Sequence, residues 1–240
     1  MSDHLDTYIG AYKDTFAYSF DNNLLLNWYP KRIIDRVVPE AHVLELGVGH
    51  GFTTLRFAQH FARTVVVDGS AAVIEKFRQE HPTCRATIVE SYFEDFNTDE
   101  RFDVIVMGFI LEHVNYPALI LERFKRFLAP GGRVFVGVPN GESMHRRLGH
   151  SAGLLDDMMS LGQGDLELGH KRLYSKATLH AQLSDAGYDV CAMEGIFLKP
   201  FTTVQLQKLE LSSAITDALC QLGVHYPELS CGLLAEARLR

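Results

Sequence analysis

The 240-residue chain predicts a single α/β domain built on a seven-stranded, mostly parallel sheet with helices on both faces. Three observations carry that prediction. From residue 42 onward, short β-branched apolar runs alternate with stretches whose apolar residues recur every three or four positions, the rhythm of βαβ units. The runs are apolar at consecutive rather than alternate positions, as strands covered on both faces must be. The composition, 47% hydrophobic and 22% charged, matches an ordinary globular domain and not a disordered, collagenous or coiled-coil chain.

Taken in order, residues 1–40 read as a helical, aromatic-rich preamble containing Tyr8, Tyr12, Phe16, Tyr18, Phe20, Trp28 and Tyr29. Residues 41–140 form the repeating core, with strands expected at "HVLELGV" (42–48), "RTVVVDG" (63–69), "ATIVES" (86–91), "FDVIVMGF" (102–109) and "RVFVGVP" (133–139). Between them "FTTLRFAQHFA", "SAAVIEKFRQEH" and "NYPALILERFKRFLAP" carry helical spacing. Ser70 is a side-chain cap for the helix opening at Ala71, and Pro130-Gly131-Gly132 is expected to end the helix that runs through Leu128. Residues 141–174, rich in glycine and histidine and without a clean strand, read as a cap inserted over the sheet. In residues 175–240 a helix capped by Ser175 and stopped by Gly187 leads to two apolar runs, 188–198 and 229–239, that pair as closing antiparallel strands. An amphipathic stretch at 203–222 separates them, with Val204, Leu206, Leu209, Leu211, Ile215 and Leu219 free to pack on the sheet or on a partner; oligomeric state is not legible.

Several classes drop out. The start "MSDHLDTYIGAYKD" lacks the basic and apolar regions of a signal peptide, and no run of roughly 18 apolar residues occurs, so a cytoplasmic protein is expected. Cys84, Cys191, Cys220 and Cys231 form no CxxC pair and read as free thiols. A net charge of −7 without a long Lys/Arg block disfavours nucleic acid and favours a small-molecule partner.

The chemistry concentrates in "VLELGVGHG" (43–51), where Glu45 sits in a buried-strand pattern ahead of Gly47, Gly49 and Gly51. In an open α/β sheet the ligand lies beyond the carboxyl ends of the strands, and glycines let the backbone approach it. A dinucleotide fingerprint, GxGxxG, would hold a pyrophosphate, but here the third glycine comes one residue early and Phe52 occupies its place. A carboxylate beside the turn suits a cation instead. S-adenosylmethionine carries an ammonium and a sulfonium and no phosphate. Asp68, ending "VVVD", can accept both hydroxyls of an adenosine ribose, as it could for NAD.

With "VVVDGS", "ESYFEDF", "FDVIVMGFILEHV" and "LAPGGRVFVGVPN" following in order, the chain resembles the class I S-adenosylmethionine-dependent methyltransferases, in the branch that includes the ubiquinone-type O-methyltransferases. The resemblance covers residues 40–140 well and the rest loosely. It implies a Rossmann-like fold and S-adenosylmethionine as cofactor, with S-adenosylhomocysteine as product. Glu45 and Gly47 would meet the methionine end, Gly49 and Gly51 would shape the turn, and Asp68, Gly69 and Ser70 would hold the ribose. Tyr92 and Phe93 would lie along the adenine, and the backbone of Met107 to Phe109 would face the cofactor's amino group. Many relatives have an acid where Tyr92 stands, which shifts adenine recognition to Ser91 or a backbone carbonyl. The N-terminal aromatics would close as a lid.

On the acceptor side, His113 in "LEHV" beside Glu112, and His170 in "GHKRLY", are the candidate proton acceptors for a hydroxyl. His145, Arg172 and Tyr174 are candidate acceptor contacts. No metal is expected, because the cap histidines around "MHRRLGH" have no secure acidic companions in the sequence. The expected reaction is methyl transfer to a small organic acceptor, most readily at oxygen. Two readings compete with it: an NAD-dependent oxidoreductase or epimerase on the same fold, and a catalytically silent S-adenosylmethionine-binding protein.

Overall fold

The computed structural model describes residues 19–240. Helix α1 (Ser19–Ile34) precedes the alternation β1 (His42–Leu46), α2 (Phe52–His60), β2 (Arg63–Asp68), α3 (Ala71–Glu80), β3 (Thr87–Glu90), β4 (Phe102–Gly108), α4 (Pro117–Phe124) and β5 (Leu128–Pro139). The insertion holds α5 (Met144–Ser151) and α6 (Gln163–Glu167). After it come α7 (Lys176–Asp185), β6 (Tyr188–Ile196), α8 (Thr203–Lys208), α9 (Ser213–Gly223) and β7 (Gly232–Leu239).

The seven strands form one sheet in the order β3-β2-β1-β4-β5-β7-β6. The first five are mutually parallel, and β7 runs antiparallel between β5 and β6. The order reverses at β1, which pairs with β2 on one side and β4 on the other, so the crevice beyond these strands is the ligand position of an open α/β sheet.

Alternation along each strand divides the core. Leu44, Leu46, Val65, Val67, Ile105, Met107, Val134, Val136 and Val138 point to the face covered by α4 and α7, through Leu121, Phe124, Leu179 and Leu183. Val43, Val104, Val106 and Phe135 point to the opposite face, where Tyr29 and Ile33 of α1 and Phe57 of α2 cover them. Val66 packs with Ile74 and Phe77 of α3. This two-sided cover explains the consecutive apolar runs.

The expected helix boundaries hold at Ser70, whose Oγ accepts from the Val73 N–H at 3.2 Å, and at Ser175, which caps α7 through Thr178. Gly187 follows α7 with φ +79°. One expectation is corrected. The helix before β5 stops at Phe124 with a 3₁₀ turn over Lys125–Phe127, and Pro130-Gly131-Gly132 lies inside β5 rather than ahead of it. The extra residues are absorbed as a register shift against β4 between Phe102 and Val104, with Gly131 at φ +74°. The 203–222 stretch is two helices, broken where Glu210 takes φ +47°. Of its apolar residues Leu206 is buried, while Val204, Leu209 and Ile215 stay exposed. Within the preamble, Tyr8, Tyr12, Phe16 and Tyr18 lie outside the described residues. All four cysteines are free, and among the described residues no helix is long and apolar enough to cross a membrane.

Candidate active site

Three strand ends and two loops build the crevice. After β1, Gly47, Gly49 and Gly51 all take positive φ, at +82°, +53° and +78°. Added side chains would collide at Gly47 with Ile110 and at Gly51 with the ring of Phe77, whereas the position at Gly49 is open and only its backbone demands glycine. Asp68 at the end of β2 grips this turn. One carboxylate oxygen accepts from the Val48 N–H at 2.8 Å and the other from the Ser70 N–H at 2.8 Å. Both oxygens of this carboxylate thus bind the turn and the start of α3. Gly69 lies half-buried between Asp68 and the Ser70 cap.

Glu45 is buried, and Thr54 at the start of α2 donates its hydroxyl to it at 2.7 Å. Burial, with the nearby Asp68 carboxylate adding to it, pushes the Glu45 carboxyl up to about 8. A buried acid this close to a second acid makes the turn a poor seat for a phosphate and a good one for a cation.

The third strand end is more closed than expected. Met107 is buried with its side chain in the core. Phe109 takes φ +58° and its N–H donates to the Gly137 carbonyl at 2.8 Å, so that donor is already engaged between strands. Tyr29 of α1 stands edge-on to Phe109, with ring centroids 5.7 Å apart, and its hydroxyl bonds Thr53 at 2.9 Å. The same phenol abuts Gly108 so tightly that a Cβ there would overlap it. The preamble thus contributes Tyr29 to the packing around the β4 end and the start of α2.

On the expected adenine side, the Ser91 N–H donates to the Asp68 carbonyl at 3.0 Å, which ties the 91–93 segment to the end of β2. Tyr92 is exposed. Phe93 turns inward, edge-on to Phe124, and Arg123 fixes its carbonyl. Of the two, Tyr92 is the ring left facing solvent.

Beyond β4 the cap comes down on the "LEHV" loop. The Lys171 N–H donates to the Glu112 carbonyl at 2.8 Å, and Arg172 donates to the Leu111 and Asn115 carbonyls at 3.1 and 3.3 Å. His113 and His170, distant in sequence, meet with ring centroids 4.8 Å apart. His170 Nδ1 lies 3.0 Å from an Asp165 oxygen. Glu112 is fully buried, its carboxylate oxygens have no hydrogen-bond partner, and burial raises its carboxyl to about 7 against the pull of His170. Burial lowers His113 to about 3, with His170 adding to the effect.

The remaining expected contacts fare differently. Tyr174, a candidate acceptor contact, is buried. Its hydroxyl donates to Gln182 at 2.8 Å, and burial pushes its pKa up to about 12, so it clamps α7 to the loop. Arg172 spends its guanidinium on main-chain carbonyls and staples the cap. His145, on α5, bonds Ser143 at 3.1 Å and stands apart from the two-histidine cluster; burial, then Lys199, lowers it to about 3. Sequence reading missed Asp165 and Thr54, which carry no signal until the fold brings them to His170 and Glu45.

Among curated proteins, the chain is 28% identical over 132 residues to an uncharacterized protein of Methanocaldococcus jannaschii, covering 55% of this chain and 61% of that one. It is 35% identical over 106 residues to the mitochondrial ubiquinone biosynthesis O-methyltransferase of Candida albicans, covering 41% of this chain and 32% of that one. The alignments therefore span less than two thirds of these curated relatives. Among solved structures, an S-adenosylmethionine dependent methyltransferase from Mesorhizobium loti matches with a TM-score of 0.60 at 18% identity, over 89% of this chain and 97% of that one. The N-methyltransferase NodS from Bradyrhizobium japonicum, in complex with S-adenosyl-l-homocysteine, matches with a TM-score of 0.60 at 16% identity, over 98% and 97%. At these identities the likeness establishes the fold. A family model described as a methyltransferase domain matches residues 24–193, more than half of the chain, and the chain belongs to that family.

Proposed function

We propose that the protein transfers a methyl group from S-adenosylmethionine to an oxygen of a small organic acceptor. The observation that carries the cofactor reading is the convergence of two carboxylates, Glu45 and Asp68, on one bare glycine turn. Their charges favour the ammonium and sulfonium of S-adenosylmethionine and repel the pyrophosphate of NAD. Asp68, at the carboxyl end of β2 beside the turn, would take the ribose hydroxyls, and Glu45 the methionine end.

Methyl transfer is an in-line displacement at the sulfonium carbon, so alignment and exclusion of water supply much of the acceleration. Tyr29 and Phe109, edge-on to one another beside Gly108, and the cap loop on Glu112 would supply that exclusion. Oxygen is favoured over nitrogen by the cluster of Glu112, His113 and His170. A neutral amine attacks without prior deprotonation, whereas a hydroxyl needs help, and a buried acid with two imidazoles is the kind of group that provides it. His113, held near 3 by burial, is a poor proton acceptor at neutral pH. That work falls to His170, or to what the cluster binds.

Calorimetric titration with S-adenosylmethionine, S-adenosylhomocysteine and NADH tests the cofactor reading, with Asp68→Ala alongside. The two adenosyl compounds should bind one per chain, and Asp68→Ala should abolish that binding. Methyl-labelled cofactor offered with hydroxylated and amine acceptors then tests the reaction. Binding of NADH alone would restore the oxidoreductase reading; binding without turnover on a broad panel would favour a silent protein.

A further inference from the structure

We infer that Glu112, His113 and His170 form a binding site for one divalent transition-metal ion, which holds the acceptor's oxygen. The inference rests on the proposed function for its role in catalysis, but the site itself stands on four independent observations. One ligand atom from each of the three residues lies within 4.8 Å of the others. Ligand atoms sharing one such ion sit at most about 4 Å apart, because each bond is about 2 Å, so closure needs movement of under about 1 Å.

Glu112 supplies the second observation. It is fully buried and neither oxygen has a hydrogen-bond partner, although buried carboxylates are nearly always satisfied. Its carboxylate borders the two imidazoles, with one ligand atom of each within 4.8 Å of it. Burial without a partner is costly for a carboxylate alone and appropriate for one that neutralises a cation.

Third, the supporting groups are those that metal-bound histidines use. Asp165 takes one ring nitrogen of His170 at 3.0 Å, which leaves the other nitrogen to bind an ion. The Gly162 N–H donates to the other Asp165 oxygen at 2.8 Å and so holds that carboxylate in place. Fourth, the Lys171–Glu112 and Arg172–Leu111 contacts to main-chain carbonyls hold the two ligand-bearing loops against each other, so only a small closure is needed.

Two imidazoles and one carboxylate with open positions suit Zn²⁺ and its first-row neighbours better than Mg²⁺ or Ca²⁺, which prefer oxygen ligands. An acceptor hydroxyl bound there gives its proton to water. The freed lone pair forms the oxygen–methyl bond as the carbon–sulfur bond breaks, leaving the neutral thioether.

The test is cobalt spectroscopy on full-length, chelator-stripped protein. Co²⁺ titration should give saturable visible absorption at one ion per chain, with competition by Zn²⁺. Glu112→Gln and His170→Gln should each weaken Co²⁺ binding at least tenfold, and Asp165→Asn by about 10- to 100-fold. Circular dichroism and thermal melting, measured on every variant, verify that the chain is folded, and His170→Gln stands in if the buried Glu112→Gln variant fails that control. Absence of saturable one-to-one Co²⁺ binding, or unchanged binding in folded His170→Gln protein, overturns the site. Co²⁺ binding without binding of either adenosyl compound would overturn the cofactor reading and leave the metal site standing.

Discussion

In the proposed function, one proton on Glu45 couples stability to cofactor binding. Burial raises its carboxyl to about 8 in the folded chain, whereas in the unfolded chain it returns to the ordinary range near 4.5. Between those values the native state holds a proton that the unfolded state has released, so this contribution to stability is greatest below about pH 4.5 and is lost as pH rises through about 8. Glu45→Gln, which cannot ionise, should therefore melt above wild type in the ligand-free state at pH 8, and the gap should shrink toward pH 5. Binding of a cationic cofactor demands the ionised form. Association of S-adenosylmethionine at pH 7 should release a proton, seen as a dependence of the calorimetric enthalpy on buffer ionisation heat, and affinity should rise from pH 6 to about 8 and then level. A flat pH profile would remove Glu45 from the cofactor site. The sequence named Glu45 and Asp68 because an acid in an apolar strand and an acid at a strand end are local anomalies. Asp165 and Thr54 are ordinary polar residues in ordinary places, and only the tertiary path makes them partners.

The β1–turn–α2 element converts glycine chemistry into a measurable order of costs. Gly51 has φ +78° and would drive a Cβ within 2.6 Å of the Phe77 ring, while Gly49 has φ +53° and no atom within 4 Å of that position. Gly49→Ala should cost about 1–2 kcal/mol, the strain of a left-handed alanine. Gly51→Ala adds displacement of a buried ring and should cost more, about 2–4 kcal/mol. Urea denaturation with an unchanged m-value checks the ranking, and equal losses would mean that Phe77 yields freely. Periodicity made the strands and most helices legible because burial on both faces leaves an unbroken apolar run. It failed at 128–132, where Pro130-Gly131-Gly132 is equally suited to stopping a helix and to bulging a strand. Which of these occurs depends on pairing with β4, a contact that no local window contains.

At the scale of the molecule, α1 is fastened to the antiparallel edge of the sheet by charge. Arg32 donates to Glu194 of β6 at 2.9 Å, Arg36 pairs with Glu194 and with Glu236 of β7, and Arg133 of β5 bonds Glu236 at 3.0 Å. The carboxylates are 11–12% exposed and the arginines 20–27%, so the network is half out of water and worth more than surface pairs. Its position matters to function because α1 also carries Tyr29, which rests on Gly108 and Thr53 at the crevice. Glu236→Gln removes the charge shared by Arg36 and Arg133 while keeping the shape, and should cost about 1–3 kcal/mol in chemical denaturation. If α1 acts as the roof, the same substitution should speed amide exchange across α1 and weaken S-adenosylmethionine binding by a small factor, while amides of β3 at the far edge keep their protection. A loss of stability spread evenly over the sheet, with cofactor affinity unchanged, would mean that the network supports the core alone and that Tyr29 holds its place over the crevice through apolar packing.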